Sequence, residues 1–117
     1  MSASNLFLTR KKAFTLRTKD VTATYTVKVG GSSDNHIKDR VITITNPAEA
    51  FSISLPNGKY EGQQVLISLL ENDESVTVSV VKTTPDATAG LTDVGDYLSL
   101  EWVNSTVGWI TLAAETD

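Results

Sequence analysis

A chain of 117 residues, 40% hydrophobic and only 7% aromatic, suffices for one domain whose single core is filled mostly by aliphatic side chains. It contains no cysteine, which excludes disulfides, zinc–thiolate sites and a cysteine nucleophile. The net charge of −4 is unevenly placed: residues 1–20 hold Arg10, Lys11, Lys12, Arg17 and Lys19 against Asp20, a local +4 that leaves −8 on the rest.

The first segment, Asn5 to Leu16, sets two apolar groups, Leu6-Phe7-Leu8 and Ala13-Phe14-Thr15-Leu16, around Arg10-Lys11-Lys12. A free tail gains nothing from these groups. Residues 1–20 are therefore expected to be an extended basic arm that docks, through Leu6, Phe7, Arg10, Lys11, Lys12 and Phe14, on an acidic surface or a neighbouring subunit. The alternative is a solvated terminal segment. Nucleic acid is not the expected partner, because aromatic and basic residues do not interleave on a binding platform. The segment also lacks the order of a signal peptide, since its charges follow the apolar patch. No stretch approaches the ~20 apolar residues of a membrane span. Synthesis and assembly in the cytoplasm, with no membrane partner, are the expectation.

Residues 21–117 read as one β-domain. In Val21–Val29, VTATYTVKV, Val21, Ala23, Tyr25, Val27 and Val29 alternate with polar residues, predicting a half-buried strand. Gly30 to Arg40 reads as a loop, and VITIT at 41–45 as the next strand. Phe51, Ile53 and Leu55 alternate with serines; Pro56-Asn57-Gly58 then predicts a hairpin turn of positive φ. In QVLISLL, Val65, Ile67 and Leu69 share one face while Leu66 and Leu70 lie on the other, predicting cover on both sides. Glu71–Glu74 makes the next turn, and Val76, Val78 and Val80 a second hairpin partner. Lys82 to Gly95 reads as irregular surface. Leu98, Leu100 and Trp102 face inward opposite Tyr97, Ser99 and Glu101; Asn104 to Gly108 turns the chain, and Trp109–Leu112 closes the last hairpin. No helix of normal length is predicted. The pattern implies an all-β fold, an antiparallel β-sandwich or small barrel, jelly-roll-like, with an N-terminal arm.

Residues that carry chemistry are sparse. His36, the only histidine, lies near Asp34 and Asp39, a set that can bind a divalent metal, although Asp and Asn in such loops commonly form Asx-turns. Asp93 and Asp96 flank Gly95 as a calcium-type bend would, without the run of ligands calcium needs. Glu61 and Glu101 suit a glycosidase pair only if the fold joins them. Trp102 reads as core; Trp109 suits either core packing or, with Tyr97, a platform for stacking a sugar ring. No triad and no phosphate-binding glycine loop is present. The expectation is a protein that is not an enzyme and uses no metal or cofactor.

The stretch SISLPNGKYEGQQVLISLLENDESVTVSV followed by GDYLSLEWVNSTVGWITL resembles small β-structured virion proteins of tailed bacteriophages, of the capsid decoration (cement) or head-fibre type. The resemblance rests on Leu55–Gly58, Glu61–Gln63, Val76–Val78 and Gly95–Trp109, and covers roughly the C-terminal 65 residues. It implies a structural protein of the virion that binds the major capsid protein on the outer surface of a head and stabilises it, commonly as a homotrimer. The basic arm suits such an anchor. The alternative is a carbohydrate-binding adhesion domain of a phage fibre or appendage.

Overall fold

The computed structural model of the protein describes residues 15–31 and 37–116. These residues form nine strands and no helix: β1 Thr15–Val21, β2 Tyr25–Thr26, β3 Ile37–Thr45, β4 Phe51–Leu55, β5 Gln64–Glu71, β6 Val78–Lys82, β7 Ala87–Leu91, β8 Tyr97–Trp102 and β9 Trp109–Glu115. A five-stranded sheet has the order β1-β3-β5-β8-β9 and a four-stranded sheet the order β2-β4-β6-β7. The all-β, two-sheet architecture agrees with the sequence pattern, and the sheets do not close into a barrel.

Strand direction corrects the antiparallel, jelly-roll-like expectation. Through the first six strands the chain alternates between the two sheets, and the neighbours made this way are all parallel: β1 with β3, β3 with β5, β2 with β4 and β4 with β6. The chain is wound, each pass across both sheets using about two dozen residues, as the pairing of Arg17 with Asp39 and of Ile42 with Ile67 shows. The antiparallel ladders are those added by the last three strands, β6 with β7, β5 with β8 and β8 with β9. Period-two alternation says which side chains turn inward, but it is the same in both directions. Direction depends on whether a turn lays the next strand beside its predecessor or across the core from it.

Two expected hairpin turns are such crossings. Pro56-Asn57-Gly58 links β4 in one sheet to β5 in the other, and neither Asn57 nor Gly58 has positive φ. Glycine is needed at 58 for a different reason: a Cβ there would overlap the indole of Trp102. Glu71–Glu74 likewise leads from β5 across to β6, with Ser75 at φ 54. The nine-residue strand expected at 21–29 is also split. Val21 ends β1, the chain crosses with Ala23 exposed, and Tyr25–Thr26 forms β2. Residues 37–40, read as loop, extend β3, and the irregular stretch 82–95 contains β7. Thr15 to Asp20, grouped with the arm by charge, pair with β3 as part of β1.

The inward positions were otherwise well marked. Ile42, Ile44, Ile53, Leu55, Val65 and Ile67 are fully buried, each such side chain contributing about 1.5–3 kcal/mol. Trp102 and Trp109 pack edge to face, ring centroids 5.5 Å apart, at the end of the core where β8 turns into β9. Leu70 is 48% exposed, so the outer face of β5 is not covered as expected.

Candidate functional site

A buried polar cluster that joins the two sheets lies where the winding starts. Asp39 on β3 is 1% exposed and accepts from Arg17 Nε on β1 at 2.6 Å, from the Tyr25 hydroxyl on β2 and from the Lys28 amide at 2.8 Å. Arg17 Nη2 also donates to the Tyr25 oxygen at 2.9 Å. One carboxylate thus ties both sheets together. Burial, then the hydrogen bond and charge of Asp39, push the Tyr25 phenol up to about 12, against the opposing pull of Arg17. The Asp39 hydrogen bond raises the Arg17 guanidinium pKa as well. Through neutral pH Tyr25 keeps its proton and Arg17 its charge, so the cluster acts as a bolt. The sequence groups Asp39 with Asp34 and His36 as a set able to bind a divalent metal; the oxygens of Asp39 are committed to this bolt, and Asp34 and His36 lie outside the described residues.

Beside the bolt are two shallow recesses. One, of about 210 Å³, is lined by Leu16, Lys38, Arg40, Gly62, Gln63 and Gln64. The second, of about 250 Å³, is lined by Thr26–Val29, Gly31, Pro56 and Lys59. Gln63, 7% exposed, separates them: its amide donates to Val29 O at 3.0 Å and its oxygen accepts from the Lys59 amide at 2.7 Å. Lys28, Lys38, Arg40 and Lys59 line these recesses and no carboxylate does. Lys38 sits 4.6 Å from the centre of the Tyr60 ring, and burial lowers its pKa. Arg40 donates to Gln64, which donates in turn to Glu101, both at 2.9 Å.

These cations share one end of the molecule because β1, β3, β5 and β9 all run the same way. Arg17, Lys38 and Arg40 lie near strand starts and Lys59 just precedes β5. At the opposite end are Asp20 near the close of β1, Glu71 at the close of β5 and Glu115 at the close of β9. The loops there add Glu49, Asp73, Glu74, Asp93 and Asp96, and Lys19 is the only described basic side chain at that end. Asp20 accepts from the hydroxyls of Thr43 and Thr45, both at 2.7 Å, which holds its carboxyl below the usual range. Glu61, Asp86 and Glu101 also lie at the first end, so its positive charge is concentrated around the two recesses, on the side where β1, into which residues 1–14 lead, starts.

The remaining candidates fall apart. Leu6, Phe7, Arg10, Lys11, Lys12 and Phe14 lie outside the described residues. Trp109 is 1% exposed and its indole N–H donates to Pro56 O at 2.9 Å, so it offers no face to a sugar ring. Tyr97 pairs with Glu115 at the far end of the same hairpin and does not join Trp109. Asp96 is buried and caps its own loop, accepting from the amides of Thr92 and Asp93. Glu101 is engaged by Gln64, and Glu61 is exposed. Among the described residues no cluster of His, Asp or Glu has the grouping of a metal site.

The basic end is the feature the sequence reading missed. Lys28, Lys38, Arg40 and Lys59 are scattered among acids in the chain, and only the repeat distance of the winding brings them together. No protein-family model matches the chain, and a search of curated proteins finds no match.

Proposed function

We propose that the protein is a structural virion protein that decorates and stabilises a phage head, attaching through its basic end and the N-terminal segment that enters there. The observation that carries this reading is the separation of charge along the strands. Recesses lined by Lys28, Lys38, Arg40 and Lys59 lie at the end where β1 starts, and the sequence that precedes β1 carries Arg10, Lys11 and Lys12. The facing surface on the major capsid protein is then acidic. The carboxylate-rich opposite end points away from the shell. The burial of Trp109 removes the Tyr97–Trp109 platform on which the adhesion alternative rested.

The experiment is co-sedimentation with undecorated heads. Deleting residues 1–14, which lie before β1, should leave the β-domain folded and lower retention on heads. Replacing Lys38, Arg40 and Lys59 by Glu should lower it further at low salt, the contrast shrinking as screening shortens to about 10 Å at 0.1 M. Retention unchanged in both variants would end the proposal.

A further inference from the structure

We infer that the recess lined by Leu16, Lys38, Arg40 and Gln64 is a carboxylate site, in which Arg40 holds the side chain of an aspartate or glutamate carried by the surface that the basic end meets. The origin of the carboxylate, though not the existence of the site, rests on the attachment proposed above.

The site follows from how β3 begins. In Ile37-Lys38-Asp39-Arg40 the buried side chain is Asp39, whose oxygens are taken by the bolt, while Lys38 and Arg40 are half-buried and line one recess of about 210 Å³. Alternation along the strand thus parts Arg40 from the carboxylate beside it in the chain. Among the described residues no carboxylate pairs with Arg40. Its Nη2 donates to Gln64 Oε1 at 2.9 Å. A guanidinium carries five donors in one plane, so a bond at one corner leaves an edge for a two-point hold on a carboxylate.

The surroundings suit that use. Gln64 fixes Arg40 from one side and, through its own amide, donates to Glu101 at 2.9 Å, so a neutral group stands between Arg40 and that acid. Gln63 closes the recess with an amide engaged at both ends. At Gly62 nothing lies within 4 Å of where a Cβ would stand, so this part of the lining is open. Lys38 adds a second positive charge, and the burial that lowers its pKa is a cost that an arriving anion offsets.

Two features favour a side-chain carboxylate over inorganic phosphate. Leu16, 62% exposed, offers contact to a methylene stem, which phosphate lacks. Glu61, next to Gly62 in the chain, and Glu101, held by Gln64, do not line the recess, but their repulsion falls more heavily on a dianion. The second recess holds Lys28 and Lys59 without an arginine, so it supplies charge and no planar fork.

The test has two arms, both with the full chain. In the first, the protein is titrated with N-acetylglutamate α-amide and separately with inorganic phosphate, and its amide resonances are followed by NMR. Saturable shifts at Gly62, Gln63 and Gln64 are expected with the carboxylate and weaker ones with phosphate. Arg40→Gln should raise the dissociation constant about tenfold, and Arg40→Lys nearly as much, because lysine keeps the charge and loses the fork. Lys82→Gln removes one charge from the same end without lining the recess and should change nothing. The same spectra report whether each variant is folded. In the second arm, Arg40→Lys should be retained on undecorated heads less than wild type or Lys82→Gln. Absence of saturable shifts, or shifts that Arg40→Gln leaves intact, overturns the site. Phosphate binding as tightly as the carboxylate overturns the ligand class. Equal retention of wild type and Arg40→Lys overturns the assignment of the carboxylate to the head. Probe binding by a wild-type protein that heads do not retain upholds the site and overturns the attachment reading.

Discussion

The two flanks of the five-stranded sheet are built on opposite plans. At β1, a buried carboxylate reaches across to the second sheet and satisfies a guanidinium, a phenol and a backbone amide at once. At β9, residues 110–115 are exposed at every position, and β8 is the only described strand it pairs with. The lesson is that one sheet can hold a flank tied by buried polar groups to the second sheet and a flank whose last strand is exposed along most of its length. Burial of polar partners marks the first and exposure at consecutive strand positions marks the second.

The sharpest way to break this contrast is to remove the bolt. Asp39→Ala leaves the Tyr25 hydroxyl and the Lys28 amide without their acceptor and strands Arg17. A buried pair broken on one side costs about 3–5 kcal/mol, and because Arg17 is partly exposed the lower part of that range, about 3 kcal/mol, is expected. Urea denaturation measures it. A loss no larger than that of a surface substitution would show that the β1 flank is held by apolar packing alone.

Next in size is Gly58→Val, where the β4–β5 crossing presses on the capping hairpin. Overpacking against Trp102 should cost about 1–3 kcal/mol. Gly62→Ala is the comparison, since it meets open space at φ +87 and loses only about 1 kcal/mol to backbone strain. Equal losses at the two sites would refute the steric account.

A smaller effect is expected at alkaline pH. The folded-state pKa of Tyr25, about 12, lies above the ordinary phenol value of 10.0. Between the two the folded state holds the proton that the unfolded state has lost, so this stabilisation is complete below pH 10 and disappears as pH rises toward about 12. Tyr25→Phe should flatten that slope in melting midpoints taken across the window. For Asp20 the sign is reversed: its depressed pKa contributes stability near neutral pH that fades as acid protonates it.

Least of all should change on the open flank. Ile110→Lys with Leu112→Lys is expected to cost less than about 1 kcal/mol, because both side chains are only partly covered, at 38% and 49% exposed. A cost comparable to that at Asp39 would mean that β9 is covered after all.

The strands at 51–55 and 97–102 and the closing hairpin were legible because each carries strict alternation and ends at a turn, and inward Ile53, Leu55, Leu98, Leu100 and Trp102 follow from that alone. β7 was missed because ATAGL, with its Thr, Ala and Gly, lacks the branched apolar side chains that mark a strand. It pairs with β6 because the Thr83–Asp86 turn delivers it there. Asp39 looked like loop chemistry because its partners Arg17 and Tyr25 are 22 and 14 residues away.

From local pattern alone the chain determined that it is all-β, which side chains of its alternating strands at 51–55 and 97–102 enter the core, and that charge is unequal along its length. These properties depend on neighbours a few residues apart. Whether a turn folds back or crosses, and hence whether strands run parallel, was decided by the tertiary structure, because identical Asn, Gly and Asp chemistry serves both. So was the gathering of Lys28, Lys38, Arg40 and Lys59 at one end and the overhang of β9, since each depends on strands far apart in the chain lying side by side.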